Sequence, residues 1–180
     1  MKKRNGGLHK VQTLTTAAML TALSIVIGIF CKNFLNFGTG LFRITFENFP
    51  IILSGIMFGP VVGALVGIAS DVLSYVLSTQ TLAITPIVTL GAALVGCVSG
   101  FMSHYIVKKE GNFRIVISAL FAHLVGSIIV KSIGLFGYYG WLVIWRIPLY
   151  AVISTLEIML ICLMNKNKMF NTLINKGVQK

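Results

Sequence analysis

Acid is scarce in this sequence. Its 180 residues include four Asp and Glu against fifteen Lys and Arg, and charges of both signs make up only 11% of the chain. A water-soluble domain carries roughly a quarter of its residues as charges, so a soluble globular fold is excluded. Cysteine is sparse too. Cys31, Cys97 and Cys162 are odd in number and scattered through apolar sequence, which reads as small hydrophobes in helices rather than a disulfide framework or metal site. The chain has no P-loop, no HExxH and no GxSxG. No ATPase or hydrolase machinery is therefore recognisable, and no cofactor is implied.

What is present is hydrocarbon. Hydrophobic residues make up 56% of the chain and the mean hydropathy is +0.90. A membrane-spanning helix needs about 20 mostly apolar residues. Six such segments are legible, at roughly 11–33, 46–58, 60–79, 85–107, 114–137 and 142–164. The second is short enough to be tilted, broken or only partly spanning. The sequence thus predicts an all-α integral membrane protein forming one transmembrane domain over 1–180, with no room for a soluble domain. "MKKRNGGLHK" has the charge of a signal-peptide n-region, but the apolar run after it is too long and no small-residue cleavage site closes it.

The net charge of +11 raises nucleic acid as a partner, and its placement dismisses that reading. Lys2, Lys3, Arg4 and Lys10 precede the first span. Lys108, Lys109 and Arg114 flank the turn after the fourth, and Lys166, Lys168, Lys176 and Lys180 follow the sixth. Six spans put these clusters on one side, which the positive-inside rule makes cytoplasmic, with both termini.

Seven charges remain once topology and Glu110 of the cytoplasmic turn are set aside: Lys32, Arg43, Glu47, Asp71, Lys131, Arg146 and Glu157. A charge in the bilayer interior costs a few kcal/mol or more unless paired or wetted, so it marks a pathway or site. Lys131 and Arg146 also have the alternative of snorkelling to the interface. Spacing groups these residues. Arg146, Tyr150, Ser154 and Glu157 share one helical face, His123, Ser127 and Lys131 share another, and Asp71 and Tyr75 lie one turn apart. Stripes of this kind must face one another or water, and the simplest arrangement is a polar cavity opening outward. Bases suit carboxylates of a ligand, a deep carboxylate suits an N–H-rich edge, and aromatics such as Tyr75, Trp145 and Tyr150 suit a flat ring. Trp141 and Trp145 equally suit the interfacial belt.

Small residues supply further surfaces. Gly59, Gly63 and Gly67 recur every fourth residue, as do Gly96 and Gly100, and Ala18 and Ala22 form a like pair in the first span. Such spacing lets helix backbones approach closely in lipid.

The stretches "LTTAAMLTALSIVIG" and "FRITFENFPIILSGIMFGPVVGALVGIASDVLSYVL", with six spans, resemble the substrate-binding S components of energy-coupling factor (ECF) vitamin transporters, most closely the folate-specific members. The resemblance covers essentially the whole chain and is strongest over 43–77. It implies the ECF S-component fold in a bacterial cell membrane and capture of a vitamin from outside. The implied partners are a transmembrane coupling subunit and two ATP-binding cassette ATPases, and the transport step is a toppling of the S component. Ala18 and Ala22 match the motif that docks on the coupling subunit, and the loops at about 35–45 and 79–85 match the gates. For folate, the resemblance and the polar stripes together put Asp71 on the pterin edge with Asn48 and Tyr75 beside it. Lys131, Arg146 and Arg43 then take the carboxylates, and Glu47, His123, Trp145 and Tyr150 complete the expected set. Arg43 and Glu47, four apart, would pair if that stretch is helical. One position departs: Val95 stands where folate-type members carry an arginine. An S component for riboflavin, thiamine or pantothenate, an intramembrane enzyme using Asp71, His123 and Glu157, and an assembly protein stay open at this point.

Overall fold

The computed structural model describes residues 4–37, 42–78, 86–107 and 111–166. The gate at 79–85 and residues 38–41 of the other gate lie outside these. Among the described residues the chain forms six helical rods. The first is α1 (Arg4–Phe34), followed by a two-residue antiparallel ladder of β1 (Asn36–Phe37) and β2 (Phe42–Arg43) that pairs Asn36 with Arg43. Then come α2 (Asn48–Phe58) and α3 (Pro60–Val76). The fourth rod is α4 (Pro86–Phe101) ending in a π-helical turn, Met102–Ile106. The fifth runs unbroken from α5 (Asn112–Ala122) through a π-helical stretch, His123–Val130, into α6 (Lys131–Tyr139). A 3₁₀ turn, Gly140–Trp145, leads into the last, α7 (Arg146–Asn165).

Four stretches are long and apolar enough to cross a bilayer: Val11–Phe34, Pro86–Ile106, Asn112–Gly137 and Gly140–Asn165. At 1.5 Å per residue α2 reaches only about 16 Å and cannot span alone. α1 starts earlier than hydropathy predicts, because only its lipid-matched part must be apolar while its helical hydrogen bonds continue into polar sequence. Prolines mark the starts. Pro60 and Pro86 are first residues of their helices, and Pro50 and Pro148 are third residues of theirs, positions where no intrahelical donor is lost.

α2 is the centre of the bundle. Nine of its eleven residues are buried, so it is covered on all sides. Ile51, Ile52, Leu53 and Ile56 meet Val95 of α4, Ile115, Ala119 and Ala122 of α5, and Ile161 of α7 in one apolar core. α1 and α3 instead turn side chains such as Leu14, Val26, Leu65 and Val76 outward, each more than 60% exposed, as lipid-facing surfaces do. The chain breaks sharply between α2 and α3 at Gly59, whose φ of 93° is a conformation that glycine adopts without strain.

The small residues are spent on packing within the chain. A Cβ at Gly63 would collide with the Gly96 carbonyl, one at Gly96 with the Gly63 carbonyl, and one at Gly67 with the Ala92 carbonyl. α3 and α4 therefore touch backbone to backbone. Ala18 and Ala22 differ: both are exposed on α1.

Candidate functional site

Alternating helices bring the end of α1, the start of α2, the end of α3, the start of α4 and the start of α6 to one end of the bundle. Each contributes polar side chains there, and together they build a buried cluster. Its hub is Lys131, 4% exposed. Its ammonium donates to Asn48 Oδ1 at 3.2 Å and lies 3.8 Å from Glu47 Oε1. Asn48 Nδ2 in turn donates to Ser127 Oγ at 3.4 Å. Lys131 thus turns inward instead of snorkelling. It fits because Gly91 of α4 leaves a groove: a Cβ there would sit 2.6 Å from Lys131 Cγ.

Glu47 closes the other side. Its backbone carbonyl accepts from Ser24 Oγ at 2.8 Å, and its carboxylate rests where Gly28 lacks a side chain, Oε2 falling 3.0 Å from a Cβ built there. The pairing foreseen between Arg43 and Glu47 as helical neighbours has no helix to carry it. Arg43 lies in the extended β2 and Glu47 in the turn before α2, where Lys131 of α6 approaches it. A four-residue separation makes neighbours only when 3.6 residues complete each turn.

Asp71 is half-buried and accepts from Thr89 Oγ1 of α4 at 2.6 Å, which fixes one carboxylate oxygen and steers the group towards α4. One turn on, the Ser74 hydroxyl donates to the Asp71 carbonyl at 3.1 Å and accepts from Lys32 Nζ at 2.6 Å. Tyr75 lies beside them, its ring centroid 6.0 Å from the Lys32 ammonium.

The stripe of α7 also faces inward. Tyr150 and Ser154 are each 6% exposed and Glu157 is fully buried. Glu157 Oε2 lies 2.8 Å from His123 Nε2, an approach off the hydrogen-bond direction, so both groups are close without a well-aligned bond. His123 therefore meets Glu157, one helical step deeper than the Lys131 cluster. Trp145, foreseen at the ligand, is 66% exposed, and Trp141 is 77% exposed, which suits the interfacial belt. Arg146 opens α7. Val95 is fully buried against Gly126 of the π-helical stretch and belongs to the apolar core, and the cation one turn earlier along that face of α4 is Lys131, lying across Gly91.

Sequence reasoning named Lys32 only as a rare charge outside the ligand set, and left out Ser74, Thr89, Gly28 and Gly91. Ser74 and Thr89 gave no signal, since a hydroxyl in an apolar helix bonds its own backbone equally well.

Compared with known proteins, 66 residues of the chain are 38% identical to the folate transporter FolT of Clostridium novyi (strain NT), an alignment covering 37% of this chain and 36% of that relative. The fold is similar to that of a crystal structure of FolT bound with folic acid, with a TM-score of 0.59 and 23% identity over 88% of this chain and 92% of the other. Residues 12–176 match the family model described as "ECF transporter, substrate-specific component". On that match the chain belongs to the substrate-specific components of ECF transporters.

Proposed function

We propose that this chain is the folate-binding subunit of an ECF importer. As a member of the substrate-specific components it is a multi-pass membrane transport subunit and not an enzyme. The observation that carries the ligand is the buried cluster around Lys131 and Asp71, whose chemistry suits folate: a flat pterin rich in N–H donors, an aromatic linker and a glutamate tail with two carboxylates. The relative named as a folate transporter and the folic-acid-bound FolT of like fold support the same ligand.

In this reading Asp71, held by Thr89, takes the pterin N–H edge. Asn48, Tyr75 and Tyr150 surround the rings. Lys131, Arg146 and Arg43 take carboxylates, and Glu47 lies at the mouth. The basic clusters keep both termini cytoplasmic in a bacterial cell membrane, which turns the Lys131 end of the bundle outward. His123 and Glu157 form the floor.

The test is titration of the purified chain, in detergent and stripped of ligand, with folate, riboflavin, thiamine and pantothenate. Tight one-to-one folate binding is the expected result; tight binding of one of the others would replace the ligand assignment. Asp71→Asn should weaken folate on the order of tenfold, because a charge-assisted bond becomes a neutral one. Undiminished affinity in that variant would remove Asp71 from the pterin.

Transport needs partners, and we assign them as a transmembrane coupling subunit with two ATPases. Ala18 and Ala22 are exposed on α1 and small enough for close helix approach. The double variant Ala18→Leu, Ala22→Leu should bind folate as the parent does. It should also fail to co-purify with the coupling subunit. Retained co-purification would place docking on another face.

A further inference from the structure

Thr45 is a buried hydroxyl to which neither the fold nor the folate reading gives a role. It stands between β2 and α2 and is 1% exposed. Among the described residues, four buried hydroxyls have no hydrogen-bond partner: Thr45, Ser70, Ser103 and Ser118. The three serines lie in helical rods, where a side-chain rotation brings the carbonyl three or four residues back within reach. Thr45 lies in non-helical chain and has no such carbonyl. Its β-branched side chain is also stiff about χ1. The backbone on either side is tied down. Ile44 N–H donates to the Leu35 carbonyl at 3.2 Å, and the Glu47 carbonyl accepts from Ser24 Oγ at 2.8 Å.

Burial alternates along this stretch. Ile44 and Phe46 are half-buried, whereas Thr45 and Glu47 are buried, so the latter two share the inward face. The Lys131 ammonium approaches Glu47 and donates to the next residue, Asn48. Two residues of extended chain cover about 7 Å. A carboxylate that bridges two donors spans a like distance, since each such bond is about 2.8 Å long. A buried hydroxyl left unbonded costs free energy that an apolar side chain of the same shape does not. Threonine at this position is therefore a cost to the ligand-free fold, and it becomes an advantage only when something accepts its proton.

We infer that the Thr45 hydroxyl is a specificity-determining donor to the ligand's tail, bonding the carboxylate that Lys131 also takes. The inference rests on the folate reading and deepens it. A hydroxyl donating to a carboxylate makes a charge-assisted bond, roughly twice as strong as a neutral one. The grip on the tail then comes from two elements, the segment leading into α2 and the start of α6. A ligand without the tail forgoes both.

The experiment measures folate and pteroic acid, which lacks the glutamate tail, on the parent chain and on Thr45→Val and Thr45→Ser. Valine keeps the shape and removes the hydroxyl. In Thr45→Val folate should weaken on the order of tenfold or more, and pteroic acid by less than about threefold. Thr45→Ser, which keeps the donor, should hold folate within about threefold of the parent. Without ligand, Thr45→Val should melt higher than the parent, because it removes an unbonded polar group. Parental folate affinity in Thr45→Val, or an equal loss for both ligands, would overturn the inference. So would a Thr45→Ser chain as weak as Thr45→Val, or a ligand-free Thr45→Val chain that melts at or below the parent. Equal binding of folate and pteroic acid by the parent would overturn it with no variant at all. A parent chain that binds neither ligand would instead overturn the folate reading, and this inference with it.

Discussion

Lys131→Met is expected to weaken folate binding on the order of a hundredfold, equivalent to about 3 kcal/mol. Methionine keeps most of the stem that lies in the Gly91 groove, so the packing between α4 and α6 survives. What disappears is the ammonium that donates to Asn48 Oδ1 and faces Glu47. Two losses follow. The ligand carboxylate loses a charge-assisted bond, and Asn48 loses the partner that orients its amide between Ser127 and the ligand. Glu47 is also left as a buried carboxylate without that cation, which costs stability in the ligand-free chain. The double variant Lys131→Met, Glu47→Gln separates the two effects. It should regain the melting temperature lost by the single variant while folate affinity stays low. Calorimetric titration and thermal unfolding in detergent read both quantities. Folate affinity within about threefold of the parent would make Lys131 a cation of the scaffold only.

Much of this was legible in the residues themselves, and the reasons differ by element. Six apolar segments and the two glycine-bearing helices came from hydropathy and four-residue spacing, both properties of one helix at a time. The stripes of α5–α6 and α7 were visible for the same reason, and Ser127, Lys131, Tyr150 and Glu157 all face inward. Pairing across helices was not visible. Lys131 meets Asn48 from 83 residues away and Thr89 meets Asp71 from 18, and nothing in either helix names its partner. Lys32 was legible as a rare charge, but a lysine near a helix end is equally consistent with an interfacial side chain until its burial is known. The Arg43–Glu47 pairing was tied to a helix, and the condition fails because the segment folds as a short ladder and turn. That segment alternates polar and apolar residues, Arg43-Ile44-Thr45-Phe46, which is a strand period.

Gly96→Leu is expected to abolish recovery of folded protein, and the reason lies in how α3 and α4 meet. They form the most extensive helix pair of the bundle. A Cβ at Gly96 would collide with the Gly63 carbonyl and come within 3.0 Å of Ala64 N, atoms of a backbone that cannot rotate away. A larger side chain must therefore push the helices apart, and overpacking of this kind costs about 1–3 kcal/mol even where side chains can yield. In lipid no hydrophobic force restores the contact, because helix association depends on close packing itself. Gly96→Ala should fold with a lowered melting temperature. Gly137→Ala, at a position with nothing within 4 Å, should leave it unchanged. The intermediate variant also tests the site. α3 carries Asp71, Ser74 and Tyr75, and α4 carries Thr89 and Gly91, so their separation sets the Thr89–Asp71 bond and the seat of Lys131. Gly96→Ala should accordingly weaken folate binding although Gly96 touches none of those groups. A folded Gly96→Leu chain with parental affinity would show that the spacing of α3 and α4 is set elsewhere.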